Sequence, residues 1–217
     1  LENLRDVLSR CGDRIRVVEG DILDKQLVSS LTRKVDIVIH LAAQLEIGTA
    51  IENPYRDLNV NVIGTLNVLE AMKENGVRRI IFASSAAVYG EPEIIPTPEE
   101  APKKPQWAYG ASKLAAEHYL SVYYRLFGIR YVALRYGIVY GPKEWYGRAH
   151  TIFIRRAFLT NEPLVVFGDG NQTRDYIYID DLVEAHKVLL EADDYECEVY
   201  NIGSGRETKI KDLASII

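Results

Sequence analysis

The chain has little with which to cross-link itself or to hold a metal. Among 217 residues there are two cysteines and four histidines. Cys11 and Cys197 have no spaced partners, which excludes a disulfide framework and a cysteine zinc site. His40, His118, His150 and His186 show no metal-ligand spacing, so no metal is expected. His40, inside an apolar run, reads as a core histidine. Long apolar runs are lacking too: none approaches the roughly 18 residues that a membrane span needs. The opening residues do not read as a charged-then-apolar signal, and a cytoplasmic location is expected. Positive charge is in deficit. A formal net charge of −5 argues against a nucleic-acid partner.

What is there is a globular composition, 47% hydrophobic and 26% charged, long enough for one domain or one and a half. The first residue is Leu1, and both ends fall inside apparent elements, so a piece of a longer protein is expected. Short apolar runs alternate with longer amphipathic stretches. The pattern predicts a helix end over 1–9, a strand over 14–19 and a helix over 24–32. Residues 35–42 (VDIVIHLA) form a nearly continuous apolar run, as in a strand buried on both faces of a parallel sheet. Asn53-Pro54 is a good helix start and Gly76 a good stop. A second buried strand follows at 79–83. Five prolines make 90–105 a loop.

Further on, helices are predicted at 107–127, 149–160, 180–190 and 209–217. Strands are predicted at 130–135 and 199–202, an extended piece at 164–167 and a loop at 137–147. Strand–helix alternation of this kind predicts an α/β fold with a doubly wound parallel sheet. In such sheets the site lies at the carboxyl ends of the strands. That singles out Gly20-Asp21-Ile22, His40–Ala43, Ser84-Ser85 and Arg135-Tyr136, each of which follows or ends a predicted strand.

Tyr109 and Lys113 stand four apart and share a helix face. An ammonium beside a phenol favours the phenolate, a base able to take a hydroxyl proton near neutral pH. With fourteen tyrosines in the chain, roughly 0.6 such pairs arise by chance, so the spacing alone is weak. Ser85 strengthens it, because its hydroxyl ends a strand that opens on the same crevice. By itself such a serine is usually a turn residue or a cap.

These residues resemble the extended short-chain dehydrogenase/reductases, and among them the NAD-dependent nucleotide-sugar epimerases and dehydratases. The similar stretches are Gly20-Asp21-Ile22, VIHLAA, NVNVIGTLNVLEA, IIFASSAAVYG, YGASK, RYGIVYGP and FGDGNQTRDYIYIDDL, in the family's order across nearly the whole chain. The resemblance implies a Rossmann-like dinucleotide-binding domain over 1–142 and 178–203. It implies part of a smaller substrate-binding cap over 143–177 and 204–217.

It also implies roles. Tyr109 is the acid/base. Lys113 holds the nicotinamide ribose and lowers the tyrosine pKa. Ser85 binds the reacting hydroxyl. Asp21 and Ile22 meet the adenine of NAD, Leu41, Ala42 and Ala43 line the cofactor with Asn61 nearby, and Tyr136 sits near the nicotinamide. Arg174 holds the substrate diphosphate, and Phe167 packs on the base. Without the resemblance, Arg174 reads as a surface partner of Asp175 and Phe167 as a core aromatic. The implied substrate is a nucleotide sugar, a UDP-hexose first, epimerised at C4 through a transient 4-keto intermediate. The implied assembly is a homodimer through the helices at 54–75 and 107–127.

Two departures stand out. No glycine-rich turn of the family's kind is present: Gly12 and Gly20 flank the first full strand. Ile138 occupies a position where the family often has a substrate-binding Asn. Dehydratases of the family carry Asp-Glu just after the strand-end serine, and decarboxylases a Glu two residues on. Here Ala86 and Ala87 follow Ser85. Dehydration, decarboxylation or reduction of a keto sugar are the alternatives within the family. A silent fragment or a non-catalytic sugar-nucleotide-binding domain is the alternative of another class.

Overall fold

The computed structural model describes residues 2–144, 147–192 and 197–217, leaving Leu1 of the expected first helix and residues 145 and 146 of the expected loop outside the described residues. In chain order, helices α1 (Arg5–Cys11) and α2 (Lys25–Leu31) precede strand β1 (Val38–His40). A helical stretch follows: α3 (Ile47–Glu52), α4 (Pro54–Leu58), a π-helical turn over Asn59–Ile63, and α5 (Gly64–Asn75). Then come β2 (Arg79–Ser85), α6 (Ala108–Phe127), β3 (Arg130–Tyr136), β4 (Ile138–Tyr140) and α7 (Ala149–Arg155). The rest is β5 (Thr173–Arg174), β6 (Tyr176–Tyr178), α8 (Ile179–Glu191), β7 (Glu198–Ile202), β8 (Thr208–Lys209) and α9 (Ile210–Ile216).

Strands β1, β2, β3 and β7 make one parallel sheet in that order. Residues 80–84 of β2 and 131–135 of β3 are buried, as the continuous apolar runs require of central parallel strands. On one face, Val68, Leu69 and Met72 of α5 and Ala116 and Leu120 of α6 pack on Ile80, Phe82 and Ala133. On the other, Ile81, Val132 and Leu134 meet Leu189 of α8. Helices on both faces make the sheet doubly wound, the Rossmann-like α/β arrangement. Asn53 starts α4 as a cap, its side chain accepting from the Arg56 N–H at 3.1 Å, and Gly76 ends α5 in the left-handed region at φ 76°.

Two expectations are corrected. Residues 14–19 form no strand. A strand exists through the ladder it shares with a neighbour. Among the described residues none lies beside this stretch, and Val17 and Val18 are exposed. The expected loop at 137–147 contains β4, because Ile138–Tyr140 finds a parallel partner in Tyr176–Tyr178, 38 residues on. No local pattern announces such a distant pairing. The expected helix at 54–75 exists, but a π-helical turn interrupts it, and α3 precedes it unforeseen.

His40 is buried at the end of β1, as expected. The Thr65 hydroxyl donates to Asn61 O at 2.6 Å, which leaves His40 Nε2–H to donate to Thr65 Oγ1 at 2.9 Å. Burial, with the nearby charge of Lys113, holds the ring neutral and lowers its pKa to about 3. The unfolded chain therefore binds more protons than the folded one between about pH 3 and 6.5. Stability then falls as pH drops through that window, by at most about 1.4 kcal/mol per pH unit from this group. Chemical denaturation from pH 7 to 4 should show this slope. His40→Gln should flatten it.

Candidate active site

The register aligns the carboxyl ends of the central strands, with Ser85 opposite Tyr136 and Tyr136 opposite Ile202. Helix α6 starts above these ends and runs back across the sheet. Its first turn approaches the turn after β2 and the Pro-rich loop closely because residue 110 is glycine: a Cβ there would lie 2.4 Å from Ala87 O and 3.0 Å from Pro105 Cβ. That approach sets Tyr109, in the same turn, next to the Ala86–Val88 turn that follows Ser85. Ser85 Oγ accepts the Ala87 N–H at 3.2 Å, so it does serve as a cap.

One turn below Tyr109, Lys113 is buried. Its Nζ donates to Ala83 O at 2.8 Å and lies 4.8 Å from the Phe82 ring centre and 5.9 Å from the Tyr109 ring centre. Burial pulls its pKa down to about 8, while the carboxylates of Asp57 and Glu117 push it back up. Tyr136, half-buried, has its phenol held by His186 Nε2 at 3.0 Å. Burial and the neighbouring Tyr109 raise its pKa, so Tyr136 stays protonated.

Behind these groups lie two polar networks. Asn61 Nδ2 sits 3.0 Å from each of Gln44 O, Asp57 Oδ1 and Ser112 Oγ, and Asn61 Oδ1 accepts the Gln44 N–H at 2.8 Å. This ties the segment after β1 to α6. The second network starts at Glu117, one turn beyond Lys113. Arg135 grips it with Nε at 3.0 Å and Nη2 at 2.7 Å, and the Ser84 hydroxyl donates to its Oε1. Arg135 Nη1 donates to Tyr89 OH at 2.6 Å and Glu99 O at 3.0 Å, and Tyr89 OH donates to Asn201 Oδ1 at 2.7 Å. The Pro-rich loop is thereby fastened to β3 and β7.

The other expected residues lie around this centre. Asp21 is exposed and its Oδ1 accepts the Leu23 N–H at 2.8 Å; Ile22 rests over Gly64, and its carbonyl accepts from Asn67 Nδ2 at 3.1 Å. Leu41 and Ala42 are exposed past β1, and Ala43 is half-buried. Arg174 is on β5, exposed, its Nη1 on Thr173 O. Asp175 is not its partner: that carboxylate takes Ser204 N–H and Oγ–H, and Gly205 N–H. Phe167 is 81% exposed, which overturns its reading as a core aromatic. Two cavities, of about 380 and 570 Å³, are lined by Tyr140–Glu144 and their surroundings, and neither touches Tyr109 or Lys113.

Sequence reasoning passed over Asp57 and Glu117, and marked Arg135 only by its place at a strand end, not as the partner of Glu117. A signal was there: each carboxylate stands four residues before or after a chosen residue on a helix, Asp57 before Asn61 and Glu117 after Lys113.

The chain belongs to the NAD dependent epimerase/dehydratase family, whose model matches residues 2–203. A Methanocaldococcus jannaschii protein assigned as a UDP-glucose 4-epimerase is 44% identical over 206 residues, covering 92% of this chain and 66% of that protein. The chain thus spans just under two thirds of that relative's length. The UDP-glucuronic acid 4-epimerase of Bacillus cereus, solved with UDP-glucuronic acid and NAD, superposes with a TM-score of 0.90 at 33% identity, covering 99% of this chain and 69% of that one. A double mutant of DesIV, a dTDP-glucose 4,6-dehydratase of Streptomyces venezuelae, gives 0.90 at 28% identity, covering 98% and 66%.

The close approach at Gly110 is a test of the site's construction. Gly110→Ala forces the Cβ onto backbone at Ala87, so α6 must lift from the strand end. The expected loss is about 1–3 kcal/mol of stability, read by denaturant unfolding, together with displaced Tyr109 and Ser85 resonances in the NMR spectrum.

Proposed function

We propose that the protein epimerises a nucleotide sugar at C4, a UDP-hexose, using NAD. The observation that carries this reading is the set at the head of α6: Tyr109 over a buried Lys113, beside Ser85, with Ala86 and Ala87 next in the chain. In this reading Tyr109 takes the proton of the C4 hydroxyl, Lys113 holds the phenol in its basic form, and Ser85 orients the hydroxyl. A bound NAD would supply a reversible hydride acceptor for C4. Tyr109 would hold the proton while the 4-keto sugar turns over, and then give it back. Tyr136, which burial keeps protonated, bounds the site without competing as a base.

The residues present suit the cofactor. The exposed apolar Leu41, with Ala42 and Ala43, and the carboxylate of Asp21 suit an adenosine, and Ile22 and Asn61 back them. The ammonium of Lys113 suits a ribose diol. The chain's similarity to relatives named for UDP-sugars supports Arg174 as the diphosphate ligand and Phe167 as the base platform. Both stand exposed, and a guanidinium fork suits phosphate oxygens. Residues 143–177 and 204–217 are the proposed cap, and the β5–β8 ladder lies wholly within them.

The likeness to a 4,6-dehydratase raises the second reading. Dehydration needs further acid/base groups, and the positions after Ser85 are alanines that transfer no proton. Incubation of the enzyme with NAD and UDP-hexoses should yield the C4 epimer; a 4-keto-6-deoxy product would overturn the assignment. Tyr109→Phe should cut turnover by about 10²–10⁴-fold with sugar-nucleotide binding retained.

The proposed assembly is a homodimer. Leu58 (47%) and Ile63 (38%) on the α4–α5 stretch and Tyr119 (39%) on α6 stay exposed, although Leu69 and Leu120 of the same helices are fully buried. A helix with apolar residues beyond its buried stripe has more to cover. Sedimentation at micromolar concentration should show a dimer, and Ile63→Glu with Tyr119→Glu should leave a monomer.

A further inference from the structure

Asp57 is a carboxylate that the proposed chemistry does not use and that the fold buries almost completely, at 1% exposure. It lies in the first turn of α4. An acid there favours the helix dipole, but that role is filled on the surface and needs no burial. A buried carboxylate must be hydrogen-bonded and paired. Asp57 Oδ1 accepts from Asn61 Nδ2 at 3.0 Å, and the same amide nitrogen lies 3.0 Å from Ser112 Oγ, whose hydroxyl donates to Tyr109 O at 3.0 Å. Ser112 is the residue before Lys113.

Lys113 poses the complementary problem. Its ammonium is buried, it donates to a neutral carbonyl, and it faces two aromatic rings. Among the described residues, the charged or titratable groups facing it are few. From α6 come Tyr109 and Glu117, from α4 Asp57, and from β1 His40, which is neutral. From β2 it meets only the Ala83 carbonyl and the Phe82 ring. Glu117 is already engaged: Arg135 grips both of its oxygens, and Ser84 bonds one of them. Among the described residues, no cation other than Lys113 acts on Asp57; burial pushes its carboxyl above the usual carboxylate range, and the Lys113 charge opposes that.

We propose that Asp57 is the counter-charge of Lys113, a positioning residue that keeps the buried ammonium charged and seated on the Ala83 carbonyl beneath Tyr109. This deepens the proposed function, and rests on it only for the role of Tyr109. Its physical content is separate. Burial alone drives Lys113 toward losing its proton, and of the groups that oppose this Asp57 acts most strongly. Without the carboxylate, the ammonium would discharge closer to neutral pH, and the phenol above would lose the charge that favours its basic form.

Asp57→Asn tests this, because it keeps the shape and the acceptor for Asn61 while removing the charge. The Lys113 side-chain resonance, titrated in protein carrying ¹³C-lysine and no nucleotide, should have its midpoint near pH 8 in the wild type. In Asp57→Asn it should fall by at least about one pH unit. An unchanged midpoint in a folded variant overturns the proposal. Should the variant not fold, the wild type answers: the Asp57 carboxyl resonance must be ionised at pH 7 and must shift again as Lys113 titrates. A neutral Asp57 at pH 7, or one blind to that step, overturns it equally. In the active enzyme, Asp57→Asn should move the alkaline limb of the kcat profile to lower pH by the same interval, with KM little altered. A purely structural role would depress kcat at every pH. Absence of epimerase activity would count against the proposed function and leave the lysine titration as it is.

Discussion

A positive charge placed inside the protein governs the layout around it. Lys113 sits against the sheet, out of water, and a lone buried ammonium is costly unless other groups compensate it. The surrounding elements supply that compensation from three directions. Strand β2 offers the Ala83 carbonyl, α4 offers Asp57, and α6 itself offers Glu117. Each of these needs its own partners, so the demand spreads. Asp57 recruits Asn61, which also reaches Ser112, and Glu117 recruits Arg135 and Ser84. The result is a polar layer between an apolar sheet and its helices, at the level where the strands end.

That layer also explains why α6 and the Pro-rich loop hold their places. The Arg135–Glu117 pair is buried on both sides and is bidentate. Removing one partner of such a pair typically costs about 3–5 kcal/mol, because the other charge is stranded. The pair therefore specifies how α6 lies on β3, and through Tyr89 and Asn201 it carries the same constraint to the loop after Ser85. Gly110 does the complementary job by absence of bulk, letting the head of α6 reach the turn at Ala87. The head of α6, with Tyr109, is thus held against the turn after Ser85 by charge pairing below and close packing above.

The outer parts are held by lighter means. Asn67 on α5 fastens the Asp21–Ile22 loop, and Asp175 gathers the Ser204–Gly205 turn beside β6. Arg174 and Phe167 have no comparable anchoring and face solvent. The centre is thus tied by buried hydrogen bonds and the rim by few.

From the sequence alone came the alternation of buried strands and helices, the caps at Asn53 and Gly76, the core position of His40 and the Tyr109–Lys113 spacing. All of these depend on neighbours within a few residues or on a strand's own burial, and such information is local. What the tertiary structure decided is everything that depends on a distant partner. Residues 14–19 look like a strand and are not one, because strand identity belongs to the ladder. Ile138–Tyr140 look like loop and are a strand, because Tyr176–Tyr178 lie beside them. The spacing of Tyr109 and Lys113 could be read from the chain, but not that Asp57, 56 residues earlier, carries the opposing charge. An ionisable side chain announces its type in the sequence; its charge state is set by burial and by the groups that folding brings within reach.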